Sequence, residues 1–205
     1  MKASRTMLMC IAAGACVIGL VAGGCQTTPT NGAHMYEGFG NFERDITTDS
    51  RSAQRWFNQG MGQMYGFNHD EAIRSFEMAA QMDDPAAMPW WGIAYCHGIN
   101  INDPEMTGNR SELAREAADK AIARLDNESA IERAMVMAVS QRYEYPAPED
   151  RFSLDEAYAK AMGDVHRQFP NDPDVASLFA ESLMNLQPWD YWAVDGAPKG
   201  RIEEV

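Results

Sequence analysis

Two stretches of this chain match each other at a fixed distance, and that repetition limits the possible folds more than any other feature. Trp56 and Trp90 lie 34 positions apart (90 − 56), and so do Gly60 and Ala94. Between them fall Ala72, Phe76, Ala79 and Pro85. The spacing has a mechanical meaning. Small side chains at Gly60, Ala72 and Ala79 allow two helices to approach closely, while Trp56 and Phe76 fill the gaps beside them. One such unit cannot bury its apolar face alone, so neighbouring units must stack.

From Ser52 onward the pattern is helical nearly everywhere. Alternating strand patterns are absent, and Ala, Met, Glu and Arg dominate over β-branched residues. Start signals recur. Asn68 precedes Glu71, Ser129 precedes Glu132 and Ser153 precedes Glu156, each at the spacing of a capping box. Asp172-Pro173 sets a cap before a proline at the first helical position. These signals predict helices near 52–66, 69–82, 88–98, 110–126, 130–143, 154–168 and 173–186, with Pro85, Pro104, Pro146, Pro148 and Pro170 in the joints. Helices of this length on short joints pair antiparallel.

Trp56-x2-Gln59-Gly60, then Ala72-x3-Phe76, Ala79 and Pro85, then Trp90-x2-Ile93-Ala94, resembles the tetratricopeptide repeat. Gln59 replaces the usual leucine, Gln63 the usual tyrosine, and Pro85 comes one residue late. The run "QGMGQMYGFNHDEAIRSFEMAAQMDDPAAMPWWGIAYCHGININDPEM" is similar to a group of bacterial envelope proteins that carry such repeats. The resemblance implies an all-α fold of antiparallel helix pairs stacked as a right-handed solenoid over residues 52–205, with no catalytic residues and no cofactor. Beyond His97 the match loosens, with "GININDPEM" as an insertion and a divergent helix pair further on. The closing "APKGRIEEV" reads as the first turn of another helix, an expectation that the chain is a fragment of a longer repeat protein.

Residues 1–24 have the order of a secretory signal: Lys2 and Arg5, an apolar run from Met7 to Ala22, then Gly23-Gly24 before Cys25. This resembles a bacterial lipoprotein signal, which implies lipidation of Cys25 and an envelope location, facing the periplasm from the outer membrane if the cell has one. Cys10 and Cys16 would leave with the signal, so only Cys96 remains and no intrachain disulfide is available. Residues 25–51 are rich in Thr, Gly and Asn and read as a flexible tether with a few residues packed on the domain. Acids outnumber bases 30 to 17, which argues against nucleic acid as a partner.

Candidates for chemistry are few. His69, Asp70 and Glu71 are consecutive, so on a helix they point about 100° apart and cannot converge on one metal. Asn68, Asp70 and Glu71 suit a helix start instead. A composite metal or small-molecule site from His69, His97 and Asp103 is the alternative to a non-enzymatic scaffold. The scaffold reading places a peptide groove on the inner face, lined by Phe57, Asn58, Met61, Met64 and Tyr65 and by Met88, Trp91, Tyr95 and Ile99. Aromatic and methionine side chains there would take an apolar segment of a protein partner. The same residues would equally serve as core beneath neighbouring helices or the tether. The groove lacks the Lys and Arg with which some tetratricopeptide domains clamp a carboxylate.

Overall fold

A computed structural model describes residues 32–106 and 108–205. They form seven α-helices: α1 Arg51–Tyr65, α2 His69–Met82, α3 Met88–His97, α4 Arg110–Ile122, α5 Ala130–Ser140, α6 Phe152–Gln168 and α7 Pro173–Met184. Single 3-10 turns follow at Leu125–Asn127 and Ile202–Glu204, and β-pairing among the described residues is limited to isolated bridges. Each helix packs against the next, and α3 also touches α1 and α5. The proposed signal and Cys25 lie outside the described residues. Among the described residues no helix is long and apolar enough to cross a membrane.

The caps explain where several helices start. Ser50 accepts from the Ala53 amide to open α1, and Asp172 accepts from Val175 to open α7 ahead of Pro173. Ser129 and Glu132 complete a reciprocal capping box on α5. Each cap satisfies amides with no partner inside the helix. Two expected boxes do not form. Asn68 stands at the start of α2, but its side chain makes no capping bond, and Glu71 pairs with Arg74 instead. Ser153 falls inside α6, because the helix already begins at Phe152, whose amide donates to Asp150.

The repeat spacing acts through one ring. Phe76 of α2 lies between Gly60 of α1 and Gly92 of α3. A Cβ built at Gly60 would meet Phe76 Cε1 at 2.5 Å, and one at Gly92 would meet Cε2 at 2.6 Å. Both glycines therefore allow the helices to close on the ring. Phe57 also packs on it, at a centroid distance of 5.3 Å. The two departures from the repeat pattern are also joined. Gln59 donates to Ser75 Oγ at 3.0 Å, and Ser75 donates onward to Gln63 at 2.7 Å, all three buried. A polar bridge between α1 and α2 stands where leucine and tyrosine would have packed.

Residues 32–50 form an arm that wraps α1. Gln59 accepts from the Tyr36 amide at 2.7 Å and donates to the His34 carbonyl at 2.8 Å. Further along, Phe39 lies over Gly62 and the Phe42 ring meets Tyr65 edge-on. The arm then turns back along α1 toward Ser50, with Arg44 beside Asn58 and Ile46 beside Gln54. Ala33, Arg44 and Ile46 are buried. The stretch read as a tether thus includes a segment that belongs to the folded domain.

Candidate functional site

Most of the residues expected to line a groove are buried. Phe57, Met61 and Met88 are wholly buried, as are Met64, Trp91 and Ile99 nearly so, with Tyr95 at 8% exposure. Trp91 stacks on Tyr95 at 5.7 Å between centroids. Asn58 is half-buried, and Tyr65 is the most open of the set at 37%. Periodicity on α1 and α3 marked these side chains as apolar positions. It carried no information on the partners that bury them, such as Phe76 of α2 against Phe57.

The arm is held by a specific set of bonds. Asn58 Oδ1 accepts from the Arg44 amide at 3.3 Å, and Gln54 donates to the Arg44 carbonyl at 2.7 Å while accepting from the Ile46 amide at 3.0 Å. Gln54 also donates to Asn58 at 2.9 Å, which fixes both carboxamides. Glu132 takes the Thr47 amide and hydroxyl, each at 2.6 Å. Thr48 donates its hydroxyl to Asp83. The segment 44–48 is therefore read through its backbone by α1 and α5 and through its hydroxyls by acids.

Arg44 is the anchor. Its Nη1 donates to Asp174 at 2.7 Å and to both oxygens of Asp172 at 3.1 Å, while Nη2 lies 3.1 Å from Met135 Sδ. Tyr65 closes the socket by donating to the second Asp174 oxygen at 2.6 Å. Burial works against the Arg44 charge, but the bond to Asp174 and the two carboxylates more than offset it, and its pKa rises. Burial and the Asp174 bond hold the Tyr65 hydroxyl protonated. Burial would also push Glu132 up, yet donors from Ser129 and Thr47 bring it below the usual carboxylate value.

A second buried polar cluster is centred on Arg142. Arg142 is fully buried, with its guanidinium over the rings of Tyr158 at 4.7 Å and Tyr95 at 5.5 Å. Its Nη2 donates to the Ile99 carbonyl at 2.7 Å, while Nε and Nη1 have no hydrogen-bond partner among the described residues. Arg110 donates to the His97 and Gly98 carbonyls, so two cations meet the negative end of the α3 dipole. Burial raises the Glu181 pKa, with the Arg142 charge opposing. Tyr65 and Tyr95 open with Glu181, His69 and Asn100 onto a cavity of about 240 Å³ against α7.

The three residues of the metal alternative are split. His69 and Asp103 border one hollow, whereas His97 lines another of about 470 Å³ beside Trp90. Asp103 is paired with Arg110, and His69 Nδ1 lies 3.3 Å from the Asn100 amide nitrogen. Burial and the Arg110 charge lower the pKa of both histidines. Among the described residues, no group of three or more His, Cys, Asp or Glu is placed to hold a metal ion. Cys96 is a buried thiol whose pKa burial raises.

A signal for the arm was present in the sequence. Arg44 is the one Lys or Arg between Cys25 and Ser50, in a chain with a large excess of acids. No family model matches the chain, and neither a curated protein nor a solved structure does.

Proposed function

We propose that this chain is a tetratricopeptide-like protein, its helix pairs stacked as a right-handed solenoid, that binds extended segments of other proteins and catalyses no reaction. In this reading Cys25 is lipidated and residues 26–31 link the domain to the bacterial cell envelope. One observation carries the binding role: side-chain carboxamides on α1 already hold an extended, irregular backbone by its amides and carbonyls. Such bonds give affinity to any extended chain, and side-chain sockets add selectivity. The packing of α1 with α3 and of α3 with α5 supports one continuous inner face.

A peptide-display selection tests the reading, using the full chain with the arm loosened by Arg44→Ala and Ile46→Ala. Peptides whose binding is lost on Asn58→Ala or Gln54→Ala support it. A selection yielding no peptide that depends on these two side chains overturns it.

A further inference from the structure

We infer that the α1–α5–α7 face selects partner segments of the form Arg-x-Ile-Thr-Thr, and that residues 44–48 occupy that site as an internal stand-in. The inference rests on the binding role proposed above and names the partner's chemistry.

Every position of the motif except the second has a receptor. Arg44 enters a socket of Asp172, Asp174 and Met135, its charge met by two carboxylates in a buried setting. Asp45 is exposed, so the second position is free. Ile46 is buried, and its amide is held by Gln54. Thr47 is bound twice by Glu132, once through its amide and once through its hydroxyl. Thr48 donates to Asp83. The receptors come from four helices or their ends, and three of the four specificity contacts end on acids. A cation followed by an apolar residue and hydroxyl donors is the complement of such a surface.

The occupant is held in a way that another chain can reproduce. Residues 44–48 form no helix and no sheet ladder; their polar bonds go to side chains of the helices. Beside them, the arm's aromatic residues Tyr36, Phe39 and Phe42 are only partly covered, with exposures of 36–44%. A partner segment with the same side chains replaces these bonds one for one, while the arm's amides go to water. The cost is the lost tethering of the arm, an effective-concentration term and not a contact.

The test uses a fluorescent nonapeptide, FERDITTDS, and its scrambled counterpart, with anisotropy as readout. The full chain carrying Arg44→Ala and Ile46→Ala binds the peptide. Replacing the peptide's arginine by alanine weakens binding at least about thirtyfold, as loss of one partner of a buried charge pair does. Asp174→Asn in the protein weakens it less, since Asp172 remains as the arginine's carboxylate. Should the double variant not fold, wild-type protein with excess peptide gives the same answer. The amides of Tyr36, Arg44, Ile46 and Thr47 then exchange hydrogen faster with FERDITTDS than with the scrambled sequence.

Equal effects of the two peptides overturn the motif, while selected peptides that still need Asn58 and Gln54 keep the scaffold reading. If no extended peptide binds, both readings fall. A dimer made by exchange of arms, with no peptide bound in trans, also overturns the inference.

Discussion

Arg44 and Asp174 stand 130 positions apart, and Arg44 Nη1 donates to Asp174 Oδ2 at 2.7 Å in a site where both residues are about nine-tenths buried. The pair ties the arm before α1 to the first turn of α7, across most of the described chain. Together with the bonds of Thr47 to Glu132 it fixes the arm to both α5 and α7.

Breaking that pair from one side should be costly. Asp174→Ala leaves the Arg44 charge buried with Asp172 as its remaining carboxylate and removes the acceptor of Tyr65. The expected loss is about 1.5–3 kcal/mol, the worth of a hydrogen bond to a charged group, because Asp172 still holds the guanidinium. Urea unfolding checks this, and an Arg44→Met/Asp174→Leu double variant should recover part of the loss by removing both charges, the unpaired Tyr65 hydroxyl accounting for the remainder.

Gly92→Ala should destabilise through Phe76 and not through helix propensity, which favours alanine. The added methyl meets the ring at 2.6 Å, and overpacking of this kind costs about 1–3 kcal/mol. Phe76→Leu in the same chain frees the space. A double-mutant cycle on thermal unfolding should therefore show coupling between the two sites, and strict additivity would contradict the sandwich.

Much of this packing was legible beforehand. The 34-residue spacing pointed to Gly60 and Phe76 as partners because the repeat is a local pattern of small and large residues on paired helices. Gly92 was missed, although it aligns with Asn58 in the preceding unit (92 − 34), where a larger polar side chain masks the spacing. The caps were mixed for a similar reason. Ser129–Glu132 formed as the spacing required, whereas Glu71 found a nearer cation in Arg74.

Glu128 predicts a pH dependence. Burial, opposed by the Ala87 amide and assisted by the charges of Glu132 and Asp83, pushes its pKa up to about 7 from an ordinary 4.5. The folded form therefore holds a proton that the unfolded form has lost. Its contribution to stability is most favourable below 4.5 and falls as pH rises toward 7. Glu128→Gln keeps the acceptor for Ala87 and removes the ionisation. Melting temperatures of variant and parent should be similar near pH 4.5 and favour the variant near pH 7.5.

The envelope reading has its own check. Cys25→Ser should move the protein from the membrane fraction to the soluble fraction and abolish incorporation of labelled fatty acid. Unchanged fractionation and labelling would refute the anchor.

What the amino-acid order decided by itself is the set of helices and the close packing of α1 on α2 around Phe76. Both follow from periodicity over three or four residues, from caps, and from small residues set opposite large ones. The apolar periodicity behind the burial of Phe57, Met61, Met88, Trp91 and Tyr95 is equally local. How the arm is held depended on contacts between distant segments: Arg44 with Asp172 and Asp174, and Thr47 with Glu132. Charge complementarity over such separations has no period in the chain. Only the tertiary structure shows that part of the stretch read as a tether belongs to the folded domain, because burial of Arg44 requires its carboxylates to arrive from the start of α7.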